Sequence, residues 1–169
     1  MSNRPVCAAV SAAFVLCALG ALSRPASAAL GGSPMSTPAD ATTTTLQPTA
    51  RAASTMQGAS PAAAAAYSVR ATTFATGTRV SEYVGADGNV FGIAWNGPRM
   101  PDLQSLLGGY FPQYASSVQA QRAARPGRRP VAVEQSNLVV HSGGHMGSFF
   151  GQAWLPSALP AGITGADIK

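Results

Sequence analysis

Two histidines, His141 and His145, are the only ones in the 169-residue chain, and they stand four apart in VVHSGGHMGSFF (139–150). Imidazoles so placed suit metal binding or proton transfer, but each use needs further groups. Zinc takes three or four N, O or S ligands. No third histidine exists, and both cysteines, Cys7 and Cys17, lie far away near the start. A metal at His141 and His145 would therefore have to recruit Glu82 or Asp102. The competing role for this stretch is a β-hairpin. A two-residue turn at Gly143-Gly144 separates apolar from polar side chains better than a three-residue one. It places Leu138, Val140, His145, Phe149 and Ala153 on one face, and His141, Met146, Phe150 and Trp154 on the other. That register separates the two histidines, so no metal and no cofactor is expected.

Glu82 is the second chemical candidate. Alternation places it on the apolar face of an N-terminal strand meander, the face equivalent to that of His145. The two would serve either as a buried hydrogen-bonded pair, which buried polar groups require, or as a general acid and base. A nucleophile in a recognisable setting is missing: there is no G-x-S-x-G, and the single lysine is Lys169. GADG, SGG and LLGG are turns and kinks, not phosphate-binding loops. A non-catalytic protein is the expectation, with Glu82 and His145 as weak catalytic candidates.

The elements that must position these groups follow from periodicity. YSVRATTF (67–74), TRVSEYVG (78–85) and NVFGIAWN (89–96) alternate, are rich in β-branched and aromatic residues, and are separated by glycine-bearing turns. With turns of two and four residues, one face carries Tyr67, Val69, Ala71, Val80, Glu82, Val84, Phe91, Ile93 and Trp95. Pro98 and Pro101 end the third strand, and Pro101-Asp102 opens a helix. Leu103, Leu106, Leu107, Tyr110, Tyr114 and Val118 form its apolar stripe, kinked at Gly108-Gly109 and restarting near Pro112. RAARPGRRP (122–130) carries Arg122, Arg125, Arg128 and Arg129 with no acid. It is either a solvated loop or a contact for an anionic surface. VAVEQSNLVVHSG (131–143) and HMGSFFGQAWLP (145–156) complete the set. The expected fold is a small α+β domain, β-β-β-α-β-β, whose antiparallel sheet is covered on one face by a kinked helix. Gly147 and Gly151 would let that helix approach closely.

The first 28 residues have the layout of a secretory signal peptide: Arg4, an apolar run from Val6 to Leu22, then Ala26-Ser27-Ala28. Cleavage after Ala28 would remove both cysteines and leave nine Lys/Arg against six Asp/Glu, a net charge of +3. A periplasmic or secreted protein is expected, without a transmembrane span after cleavage. So mild a surplus of charge does not predict a nucleic-acid partner. Residues 29–66, mostly Ala, Thr, Ser, Pro and Gly, are expected to form a low-complexity flexible leader. The single domain is then 67–169.

Two long stretches, GTRVSEYVGADGNVFGIAWNGPRMPDLQSLLGGYF (77–111) and LVVHSGGHMGSFFGQAWLPSALPAGI (138–163), resemble a family of short exported bacterial proteins catalogued only as a domain of unknown function. The PDL…LLG…YF and SGGHM elements carry the resemblance, which implies export and a single domain but no activity or ligand. A sheet face left uncovered by the helix would expose Tyr83, Val90, Met146, Phe150 and Trp154, a composition that interfaces favour. The C-terminal LPSALPAGITGADIK (155–169) is the alternative cover for that face. The expected role is a small binding or accessory module of the cell envelope docking a protein partner through Tyr83, Met146, Phe150 and Trp154. The alternative is contact with anionic lipid or glycan through the arginine loop.

Overall fold

Alternating β-branched and aromatic residues build a seven-stranded antiparallel sheet in the computed structural model, which describes residues 30–47, 67–127 and 129–169. The strands are β1 (Ala41–Leu46), β2 (Tyr67–Phe74), β3 (Arg79–Gly85), β4 (Val90–Gly97), β5 (Val131–Glu134), β6 (Val139–His145) and β7 (Ser148–Trp154). Their spatial order is β1-β2-β3-β4-β7-β6-β5, so the C-terminal hairpin joins the meander through β4. The α+β class stands. Two strands exceed the expected five, because residues 131–143 break at Gln135-Ser136-Asn137 and because β1 comes from the supposed leader.

That second difference is a correction. Residues 29–66 were expected to lack structure because they cannot build a core of their own. Residues 30–46 instead use the core of the domain. Leu30 and Met35 are buried in it, and Leu30 N–H donates to the Leu106 carbonyl. ATTTTL then pairs with β2 as an edge strand. Threonine is polar but β-branched, and an edge strand on an existing sheet needs little apolar area. Thr43 Oγ1 lies 3.0 Å from Thr72 Oγ1 and 2.9 Å from Thr37 Oγ1. Residues 1–29, which include the expected signal peptide, and residues 48–66 lie outside the described residues.

The helical expectation holds closely. Asp102 caps α1 (Leu103–Leu107), its carboxylate accepting from Gln104 N–H at 3.0 Å. A 3₁₀ turn at Gly108–Tyr110 makes the kink, and α2 (Phe111–Ala124) restarts with Pro112 in its first turn. Leu106, Leu107, Tyr114 and Val118 bury against Ile93, Trp95, Val133, Leu138, Val140 and Ala153 of one sheet face. Gly147 and Gly151 do not serve this approach: Gly147 sits in a turn at φ +85°, and Gly151 makes room for the Trp95 ring.

Strand parity differs at two turns. Ala75-Thr76-Gly77 is a three-residue loop, with Phe74 N–H donating to Thr78 O and Gly77 at φ +81°. The extra residue turns β2 over, so Tyr67, Val69 and Ala71 lie opposite to the expected face, and Arg70, Thr72 and Phe74 join Glu82. A register shift where β3 meets β4 leaves Ile93 and Trp95 on the helix side, as expected, and sends Phe91 to the other. Val90 goes to the helix side, buried, rather than to the open face.

Candidate functional site

The β6–β7 turn is Met146-Gly147, three residues beyond Gly143-Gly144, with His145 opposite Ser148 and His141 opposite Gln152. The two glycines continue β6. The displaced turn leaves most of the hairpin's facing unchanged, because opposite residues keep the same parity. His145 alone is transferred, and it joins His141 on the face away from the helix. The expected separation of the histidines onto opposite faces is therefore wrong. They still cannot share a metal, since four residues of strand span about 13 Å. His141 Nε2 lies 3.1 Å from Glu134 Oε1 and its ring meets Trp154 edge-on. His145 is exposed, its Nδ1 hydrogen-bonded to the Met146 carbonyl at 3.0 Å. Among the described residues no group of three His, Cys, Asp or Glu is arranged to hold a metal ion.

Glu82 is fully buried on the helix face, so it does not meet His145. The neighbours of Glu82 come from a segment that sequence reasoning left unstructured. Met35 N–H donates to Oε1 at 2.8 Å, and the Arg70 guanidinium stands 3.8 Å from Oε2. Arg70 also donates to the Met35 carbonyl and to Thr37 Oγ1. Oε2 is buried and has no hydrogen bond among the described residues. Burial pushes the Glu82 carboxyl above its ordinary range, and the Met35 amide and the Arg70 charge pull it back only in part. This arrangement fastens the N-terminal segment across the sheet.

The face expected to stay open is largely closed by the C-terminal residues. Tyr83, Phe91, Ala94 and Ile168 form a second buried cluster, with Tyr67, Val69, Trp154, Leu159 and Ile163 packed against it. Gly92 admits the Ile168 side chain and Gly165 lies against the Trp154 ring; a Cβ at either would stand under 3 Å from its neighbour. Tyr83 Oη accepts from Lys169 N–H at 2.8 Å. Of the four residues expected to dock a partner, Tyr83 is buried and Trp154 half-buried, while Phe150 is 52% and Met146 93% exposed.

The arginines have a more definite setting. The C-terminal half of α2, the loop after it and the β6–β7 hairpin enclose a groove of about 1030 Å³. Arg122, Arg125 and Arg129 stand around it, while Tyr114, Val118, Val131 and Phe149 supply apolar lining, and no acid lines it. Arg128 lies outside the described residues. Among the described residues, Glu82 stands beside Arg70 and Glu134 beside His141, both away from the groove. Asp87 and Asp102 are occupied locally by Asn89 and Ser105, whose hydrogen bonds lower both carboxyls. The groove therefore combines apolar surface with cationic groups that no described carboxylate neutralises. Sequence showed the arginines but not their neighbours. Tyr114 and Val118 read as helix stripe and Phe149 as sheet interior, and only the topology brings the loop against the hairpin.

No helix among the described residues is long and apolar enough to cross a membrane. No curated protein and no solved structure matches the chain. A family model does match, over residues 26–168, and it starts before β1 and ends within the C-terminal cover, so it spans every element described above. The chain belongs to the family described as Protein of unknown function (DUF2844).

Proposed function

We propose that the protein is a small, non-catalytic binding module of the cell envelope, exported by its N-terminal signal, that holds an anionic ligand at the groove between α2 and the β6–β7 hairpin. One observation carries this reading: Arg122, Arg125 and Arg129 surround a concave site with no acid in its lining. Arginine suits such a role because its charge persists at every physiological pH and its planar fork matches carboxylate and phosphate oxygens. The distribution of Glu82 and His145 between two faces argues against an acid/base pair. In a cosedimentation assay the processed protein should bind phosphatidylglycerol vesicles or an anionic glycan and ignore phosphatidylcholine. Replacing Arg122, Arg125 and Arg129 together with alanine should abolish that binding. Equal binding to neutral and anionic targets would contradict the proposal.

Exposure of Phe150 and Met146 favours a second reading, a protein partner docked on the hairpin tip. Loss of a crosslinked partner in Phe150→Ala, with anion binding intact, would support it over the first.

A further inference from the structure

We infer that the ligand of this groove is a single-chain anionic amphiphile: one alkyl or acyl chain bearing one carboxylate or phosphate, bound as a monomer. The inference rests on the anion-binding proposal and extends it through the groove's apolar part. A site for a hydrophilic anion needs only the arginines. Here Val131 and Phe149 are half-buried, Met100 is 41% and Met146 93% exposed, and all four line the same groove as the cations. Tyr114 and Val118, which are buried, contribute further apolar surface. Methionine side chains are unbranched and polarizable, so a pair of them accommodates chains of varied length. The lining is concave, lying between a helix, a loop and a hairpin, and a flat membrane surface would meet the rim rather than the interior. A monomer inserted lengthwise reaches both parts. Its head would be held by charge-assisted hydrogen bonds from arginine, and its chain would cover the methionines and Phe149.

Calorimetric titration of the full chain, as the cell processes it, tests this with four probes: dodecyl phosphate below its micelle concentration, inorganic phosphate, dodecyl maltoside and phosphatidylglycerol vesicles. Dodecyl phosphate should bind one to one. Inorganic phosphate should bind at least a hundredfold more weakly and dodecyl maltoside at least tenfold more weakly. Each methylene added from hexyl to dodecyl phosphate should tighten binding about twofold to fourfold, the range expected of partly to fully buried methylenes. Arg125→Ala with Arg129→Ala should cost tenfold or more. Met146→Ser, at a position too exposed to disturb folding, removes apolar lining without adding charge and should weaken dodecyl phosphate but not inorganic phosphate. Equal affinity for inorganic and dodecyl phosphate would overturn the inference and leave the anion site standing. Binding to vesicles without binding to the monomer would do the same, in favour of a surface contact. No binding of any anionic probe would overturn both proposals.

Discussion

Glu82 shows how one buried carboxylate couples folding to pH. Its folded pKa lies above the ordinary value, because desolvation outweighs the Met35 amide and Arg70. The stability that this group contributes is therefore fully present below its unfolded pKa and declines as pH rises through the folded one. Glu82→Gln keeps an oxygen for Met35 N–H and removes the titration. The mutant should gain on the wild type in thermal denaturation as pH is raised from 4 to 8; a difference independent of pH would contradict this. Glu82→Ala leaves Met35 N–H buried without its acceptor and the half-buried Arg70 without its charge partner, and should cost about 2–4 kcal/mol in urea unfolding. Asp102→Ala removes the cap of α1 and should cost about 1 kcal/mol by the same measurement. Glu82 was legible in the sequence as an anomaly on an apolar strand face. Its partners were not, because Met35 and Arg70 depend on a crossing of the sheet and a loop length that no local pattern encodes.

Among the elements, those with strong periodicity were legible. The stripe Leu103 to Val118, the kink at Gly108-Gly109 and the restart at Pro112 follow from side-chain spacing and backbone chemistry. β1 was not, since Thr42 to Thr45 reads as low complexity until β2 stands beside it. Turn positions were also misjudged. Both meander turns place glycine at positive φ as the third loop residue, Gly77 and Gly88, a three-residue hairpin type that competes closely with the two-residue one. The N-terminal segment and the C-terminal cover are the two elements whose contribution is easiest to measure. Leu30→Ala and Ile168→Ala each empty a site at or below 2% exposure. Each should cost about 2–5 kcal/mol in urea unfolding. A cost below 0.5 kcal/mol at either position would mean that its segment does not pack as described.

At the scale of the molecule, the two faces of the sheet are closed by different means. Helices and residues 30–37 cover one, and residues 159–169 cover much of the other. Among the described residues, the end of the sheet where the arginine loop meets the β6–β7 hairpin stays accessible. Two separate features of the sequence, a basic loop and a glycine-rich hairpin, thus line one groove. Exposed charge contacts are screened over about 10 Å at 0.1 M salt, so the arginine contribution to binding should shrink as salt rises while the apolar contribution persists. The most direct measurement is amide chemical-shift mapping of the isotope-labelled protein titrated with dodecyl phosphate. The account predicts that shifts will concentrate at residues 118–131 and 143–149, around the groove. Shifts centred instead on Phe150, Trp154 and the C-terminal residues, or spread evenly over the chain, would contradict it.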